Sequence, residues 1–157
     1  MFSVIFPGQG SQIVGMGKDL YDRYEIVKKL FKEADETLNF PISKIIFEGP
    51  KIELDLTANT QPALMAVSLA SARALEAEFG VKISEATYVA GHSLGEYSAL
   101  AAANALSIGD AAKLLRFRGE AMQKAVPAGE GAMAALLGAS LEQVQAVLLQ
   151  LFLRACV

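Results

Sequence analysis

Thr87-Tyr88-Val89-Ala90 reads as a short strand, and Gly91-His92-Ser93-Leu94-Gly95 follows it with no spacer. A stretch rich in small residues, with Ser98, Ala99, Ala102 and Ala103, comes next and reads as a helix from about 94 to 103. A G-x-S-x-G set between a strand and a helix restricts the chain severely. The turn must be sharp, the serine is held in a strained backbone conformation with its hydroxyl outward, and the flanking glycines avoid clashes. The helix after it must lie close to the sheet, which its small residues permit. The pattern alone also arises in ordinary βα turns, so the strand before it and the helix after it carry the weight.

The rest of the chain supplies partners for such a unit. Residues 2–6 are apolar and β-prone and stop at Pro7-Gly8, as a buried strand entering a loop does. Asp22 and Glu25 have capping-box spacing before Val27, Leu30, Phe31, Ala34 and Leu38, which predicts an amphipathic helix over 22–38. Residues 41–59 carry scattered turn signals, with room for one short helix. Pro62 suits the first turn of a helix over 61–79, apolar on most sides and ended by Gly80. Ser107 with Asp110 opens a helix running to about 125 and stopped by Pro127. Residues 131–138 read as a strand, and Ser140 with Gln143 starts a last helix. Strands separated by helices predict an α/β fold with a mainly parallel sheet.

Three other groups are candidates for chemistry. Pro7-Gly8-Gln9-Gly10-Ser11-Gln12 follows the first strand. It fails the dinucleotide fingerprint, because Ile13 stands where a third glycine belongs, and it lacks the Lys-Ser/Thr pair of a Walker loop. A tight loop at the carboxyl edge of a parallel sheet fits better, with the Gln9 N–H free to donate to an oxyanion; a plain glycine turn fits as well. Arg118 lies on the stripe of Ala111, Leu114, Leu115 and Met122, where an unpaired guanidinium is costly. Its partner is either a protein carboxylate, which periodicity alone favours, or a substrate carboxylate held by the guanidinium fork. Arg116 and Glu120 read as an ordinary exposed i, i+4 pair. Gln61 is either a residue of the helix start or a polar group lining the site. His92, the sole histidine, adjoins Ser93, but neighbouring side chains diverge at such a turn, so it reads as structural or orienting rather than as the base.

Composition excludes several classes. A net charge of −3 with no Lys/Arg run argues against nucleic-acid binding. The apolar stretches 131–138 and 146–153 are too short for a membrane span, and residues 1–7 lack a basic leader. With one cysteine, Cys156, no intrachain disulfide forms, as suits a reducing, cytoplasmic setting. One histidine and one cysteine far apart make a poor metal set, so none is expected.

Five segments in order resemble the malonyl-CoA:acyl-carrier-protein transacylase family and the related acyltransferase domains of fatty-acid and polyketide synthases. They are Phe6-Pro7-Gly8-Gln9-Gly10-Ser11-Gln12, Thr60-Gln61-Pro62-Ala63-Leu64, Gly91 through Leu100, Arg118-Gly119 with Met122-Gln123, and Gly131-Ala132-Met133-Ala134-Ala135. The resemblance implies an α/β-hydrolase-like large lobe over 1–127 and the beginning of an inserted ferredoxin-like small lobe over 128–157, its first strand and helix over 131–150. It implies that Ser93 takes a malonyl group from malonyl-CoA and passes it to the phosphopantetheine thiol of acyl carrier protein, these two being substrates and no cofactor being needed. It implies an oxyanion hole from the N–H groups of Gln9 and Leu94, with Arg118 on the malonyl carboxylate and Gln61 and His92 beside the substrate.

Family members are considerably longer, and their general-base histidine lies beyond the residues present here. After about Ala146 the run to Val157 departs from the family's charged amphipathic helix, so a truncated or frame-shifted chain with impaired activity is expected. An α/β-hydrolase-type esterase and a non-catalytic remnant that binds CoA or carrier protein are the alternatives. Arg118 speaks against the esterase, whose pocket is apolar there.

Overall fold

A computed structural model describes residues 1–125 and 136–155, with side chains to 150. The chain divides into two compact units, Met1–Val126 and Pro127–Val157.

In the first unit, β1 (Ser3–Phe6) pairs in parallel with β2 (Tyr88–Gly91), Ser3 opposite Tyr88 and Phe6 opposite Gly91. The ladder continues past both ends, with Thr87 N–H donating to Phe2 O at 2.9 Å and His92 N–H to Phe6 O at 3.1 Å. Parallel pairing needs a crossover, here a run of helices: α1 (Lys18–Arg23), α2 (Glu25–Leu38), α3 (Ile42–Glu48), α4 (Lys51–Asp55) and α5 (Thr57–Phe79). Because the strands run the same way, the loops after Phe6 and after Gly91 leave from one edge. That edge carries the candidate site. The sheet has two strands among the described residues, the parallel α/β pattern expected but narrower.

α5 is buried over Ala58–Ala66 and again at Leu69, Ala70, Ala72 and Ala74, as its all-round apolar sequence requires. Against it pack Val27, Leu30 and Phe31 of α2, Ile42 and Ile46 of α3, and Leu115 of α7 (Ile108–Ala125). Each such fully buried large side chain contributes about 1.5–3 kcal/mol of transfer free energy. Gly80 ends α5 in the left-handed conformation, its N–H returning to Glu76 O. Ser107 caps α7 through its Oγ and the Asp110 N–H at 2.9 Å.

Several boundaries differ from expectation. The helix anticipated over 22–38 is broken at Tyr24, whose extended backbone separates α1 from α2, so Asp22 lies inside α1 and caps nothing. Residues 41–59 hold α3 and α4 rather than one short helix, and α5 begins at Thr57. Pro62 therefore stands inside α5, where it cannot donate to the Ala58 carbonyl. That carbonyl is instead reached by Arg116 Nη1 at 3.4 Å. Arg116 is correspondingly more than a surface pair. It is half-buried, donates to the Asn59 side chain, lies 4.8 Å from the Phe40 ring centre, and pairs with Glu120 at 2.8 Å.

In the second unit, α8 (Leu141–Ala155) opens with a reciprocal capping box. Ser140 N–H donates to Gln143 Oε1 at 2.8 Å and Gln143 N–H to Ser140 Oγ at 3.3 Å. Of the strand anticipated over 131–138, residues 131–135 lie outside the described residues and 136–138 are not in a strand.

Candidate active site

Ser93 is the residue before α6 (Leu94–Ala102), and its φ of 56° and ψ of −113° lie in a region an L-residue enters only under strain. Such a residue costs about 1–3 kcal/mol and persists where its surroundings enforce it. Here they do. A Cβ on Gly91 would stand 1.9 Å from the Gly95 carbonyl carbon, and one on Gly95 would stand 2.4 Å from Phe6 O. Two glycines thus let β1, β2 and the start of α6 close on one another around a tight turn. Gly95 N–H donates to His92 O at 2.9 Å, closing the bend. The outcome is an exposed Ser93 beside a buried Leu94.

The first loop meets this bend directly. A Cβ on Gly8 would lie 2.4 Å from His92 Nδ1 and 3.1 Å from His92 O, so the imidazole rests on the Gly8 backbone. His92 therefore joins the two loops and makes no hydrogen bond to Ser93. Neither the Gln9 N–H nor the Leu94 N–H donates to a protein acceptor among the described residues. Gln9 sits on the first loop and Leu94 begins α6 just after Ser93, where it adds the positive end of that helix.

Arg118 completes the group. Its Nη2 donates to Ser93 Oγ at 3.0 Å and its Nη1 to Gln61 Oε1 at 2.7 Å. Gln61 is 1% exposed, and its Nε2 reaches Met122 Sδ at 3.3 Å. Among the described residues no carboxylate lies within salt-bridge distance of Arg118. The apolar stripe expected on α7 is also turned: Ala111, Ala112, Leu115 and Gly119 are buried, while Leu114 and Met122 are exposed. The cause is Gly119, where an added Cβ would meet Ala58 Cα and Thr57 O at 2.6 Å. That close approach makes Gly119 the buried line and leaves Arg118 at its border, facing the bend.

Ser93, Arg118, Gln61 and His92 are thus brought together, with Gln9 and Leu94 on the loops beside them. Among the described residues the arrangement offers an exposed hydroxyl, uncommitted N–H donors and a cation with no anion of its own. It suits a ligand that carries both an electrophilic carbonyl and a carboxylate. Sequence reasoning gave no role to Gln12 or Asp55, whose contact behind the first loop spans 43 residues of chain. Only the family motif marked Gln12, and nothing marked Asp55. Among the described residues no cluster of His, Cys, Asp or Glu is placed to hold a metal, and no helix is long and apolar enough to cross a membrane.

The acyl transferase domain family matches residues 3–154. The malonyl CoA-acyl carrier protein transacylase of Bacillus subtilis (strain 168) is 54% identical over 143 residues, which is 91% of this chain and 44% of that protein. The crystal structure of an acyl-carrier-protein-S-malonyltransferase from Bartonella henselae superposes with a TM-score of 0.84 at 52% identity, covering 94% of this chain and 47% of the other. A malonyl-transacylase solved in complex with its type II PKS acyl-carrier protein superposes with a TM-score of 0.74 at 42% identity, covering 80% of this chain and 40% of the other. The chain spans less than half the length of these relatives.

Proposed function

The chain belongs to the acyl transferase domain family, and on that premise we propose that its site accepts a malonyl group from malonyl-CoA and passes it to the phosphopantetheine thiol of acyl carrier protein. Ser93 Oγ attacks the thioester carbonyl carbon; the new C–O bond forms, the C–S bond breaks, and coenzyme A leaves as a thiol with the proton that Ser93 gave up. The carrier-protein thiol then attacks the malonyl ester, the C–O bond breaks, and the proton returns to Ser93. Each half passes through an oxyanion, for which the N–H groups of Gln9 and Leu94 are the donors. Arg118 takes the malonyl carboxylate, with Gln61 holding one arm of its guanidinium and leaving the other to turn from Ser93 Oγ to the ligand. His92 keeps the two loops in register. A cytoplasmic setting belongs to the same reading.

The observation that carries it is the guanidinium set between a buried amide and an exposed, strained serine, with no carboxylate among the described residues to neutralise it. An esterase has no use for a cation there, and a remnant that only binds has no use for the strain. Exposure of the purified chain to malonyl-CoA followed by intact-mass measurement tests it. The expected result is one malonyl adduct, absent in Ser93→Ala. An adduct that persists in Ser93→Ala, or none in either, sinks the reading.

A further inference from the structure

Gln12 lies behind the Gln9 turn with both ends of its side-chain amide engaged. Its Oε1 accepts the Gly10 N–H at 2.9 Å, and its Nε2 donates to Asp55 Oδ1 at 3.0 Å. Asp55 ends α4, and its other oxygen is held by Lys51 Nζ at 2.5 Å. Gln12 and Asp55 are half-buried, whereas the loop they support is exposed at Gln9 and Gly10.

The Gly10 N–H belongs to the peptide group that follows Gln9. Fixing it fixes the plane of that group and restricts the rotation of Gln9 itself. The Gln9 N–H lies across the Gln9 Cα, in the preceding peptide group. An exposed loop with several glycines has many orientations available for that N–H, and an oxyanion donor acts only when it is aimed before charge develops. Among the described residues one side-chain hydrogen bond to the Gly10 N–H selects among them, and the contact that backs it originates in a different element, α4.

We propose that Gln12 and Asp55 are positioning residues for the oxyanion donor on Gln9, acting through the Gly10 N–H. The proposal rests on the reading of Ser93 as nucleophile and extends it to a pair that touches neither substrate nor reacting atoms. Its energetic signature is specific. Losing the anchor slows attack on the carbonyl and leaves ground-state binding of the thioester unchanged, because the oxyanion exists only after attack begins. Asp55→Ala frees Gln12, whereas Asp55→Asn retains an acceptor for its Nε2.

Two measurements on the full chain test this. Amide hydrogen exchange should show the Gly10 N–H exchanging about 5- to 10-fold faster in Gln12→Ala and Asp55→Ala, as the loss of one hydrogen bond implies, with α5 amides unchanged as the control for folding. The rate of Ser93 malonylation should fall about 10-fold in both, part of the 10²–10³ that a whole oxyanion donor contributes, with its half-saturating malonyl-CoA concentration unaltered. Asp55→Asn should retain the parent rate. The exchanged pair Gln12→Glu with Asp55→Asn should recover what Gln12→Glu loses. Unchanged Gly10 exchange in Asp55→Ala overturns the proposal, as does faster exchange with an unchanged malonylation rate. A parent chain that forms no Ser93 adduct overturns the reading of the site as a whole, an outcome distinct from silent variants over a working parent.

Discussion

Arg118 is the residue whose environment decides between transfer of a charged and an uncharged acyl group. A guanidinium that already shared a protein carboxylate would gain little from a second, but among the described residues Arg118 donates only to neutral oxygens, those of Gln61 and Ser93. A hydrogen bond to a charged partner is worth about 1.5–3 kcal/mol, so Arg118→Ala should lower malonylation of Ser93 about 10- to 100-fold. Acetylation from acetyl-CoA, which offers no carboxylate, should be unchanged or faster. Arg118→Lys should recover only part of the loss, because an ammonium cannot serve Gln61 and a carboxylate with one planar fork. Equal loss with both thioesters would assign Arg118 to structure. Asp55 gives a prediction with a sign. Its carboxyl lies below the ordinary range, first because of the hydrogen bond from Lys51 and then because of that from Gln12. A depressed folded pKa means that the anchor's contribution is whole above the unfolded pKa and fades as pH falls through the folded one. Protection of the Gly10 amide, corrected for intrinsic exchange, should therefore hold steady through neutral pH and weaken only slightly in acid, where protonated Asp55 gives up its pairing with Lys51 but still offers Gln12 Nε2 a carbonyl acceptor. Asp55→Asn should abolish that acid step.

Among the elements, those fixed by local chemistry were readable and those fixed by packing were not. The bend at Ser93 was legible because two glycines, a strand and a small-residue helix all require the same turn. The Ser107 and Ser140 caps were legible because a capping residue needs only its own first turn. The break at Tyr24 was not, since capping-box spacing from Asp22 to Glu25 occurs here astride the join of two helices. The true start of α5 was hidden by Pro62, which marks a first turn by habit but here loses its backbone bond while Arg116 of α7 reaches the freed carbonyl. For the same reason the inner face of α7 was misjudged: the periodicity gave an apolar stripe, and the contact with α5 chose a line one step around, through Gly119. That contact yields a prediction. Gly119→Ala must push α7 from Thr57 and Ala58, at about 1–3 kcal/mol for overpacking, and must part Arg118 from Gln61. A lowered urea midpoint together with weaker selection of malonyl over acetyl thioesters is expected. A parent-like midpoint would mean that the helices yield freely.

At the scale of the whole molecule, the site is supported by a sheet of two strands among the described residues, and their faces are not closed. Ile5 is 77% exposed and Tyr88 71%, and apolar grooves of about 510 Å³ and 730 Å³ flank β1 and β2. Open edges and apolar faces of this kind favour association, so scattering from the 157-residue chain should rise with concentration and fall in Tyr88→Lys. The described residues leave a matching gap in the chemistry. Ser93 must lose a proton in the first half of the reaction and regain one in the second, yet among the described residues its Oγ meets a guanidinium and no base. Arg118 can steady the developing alkoxide but cannot take its proton. Removing the base from a serine constellation lowers turnover by about 10⁴ to 10⁶, and what persists is donor and binding catalysis. This chain alone should transfer malonate slower than its Bacillus subtilis relative by that order. With no base beside Ser93 among the described residues, hydroxide is the expected proton acceptor, so the Ser93-dependent rate should climb about tenfold per pH unit from 7 to 9, after subtraction of the Ser93→Ala background. A side chain acting as base would instead give a plateau above its own pKa. A level rate across that range, or turnover matching the relative, would show that these residues already contain the proton acceptor.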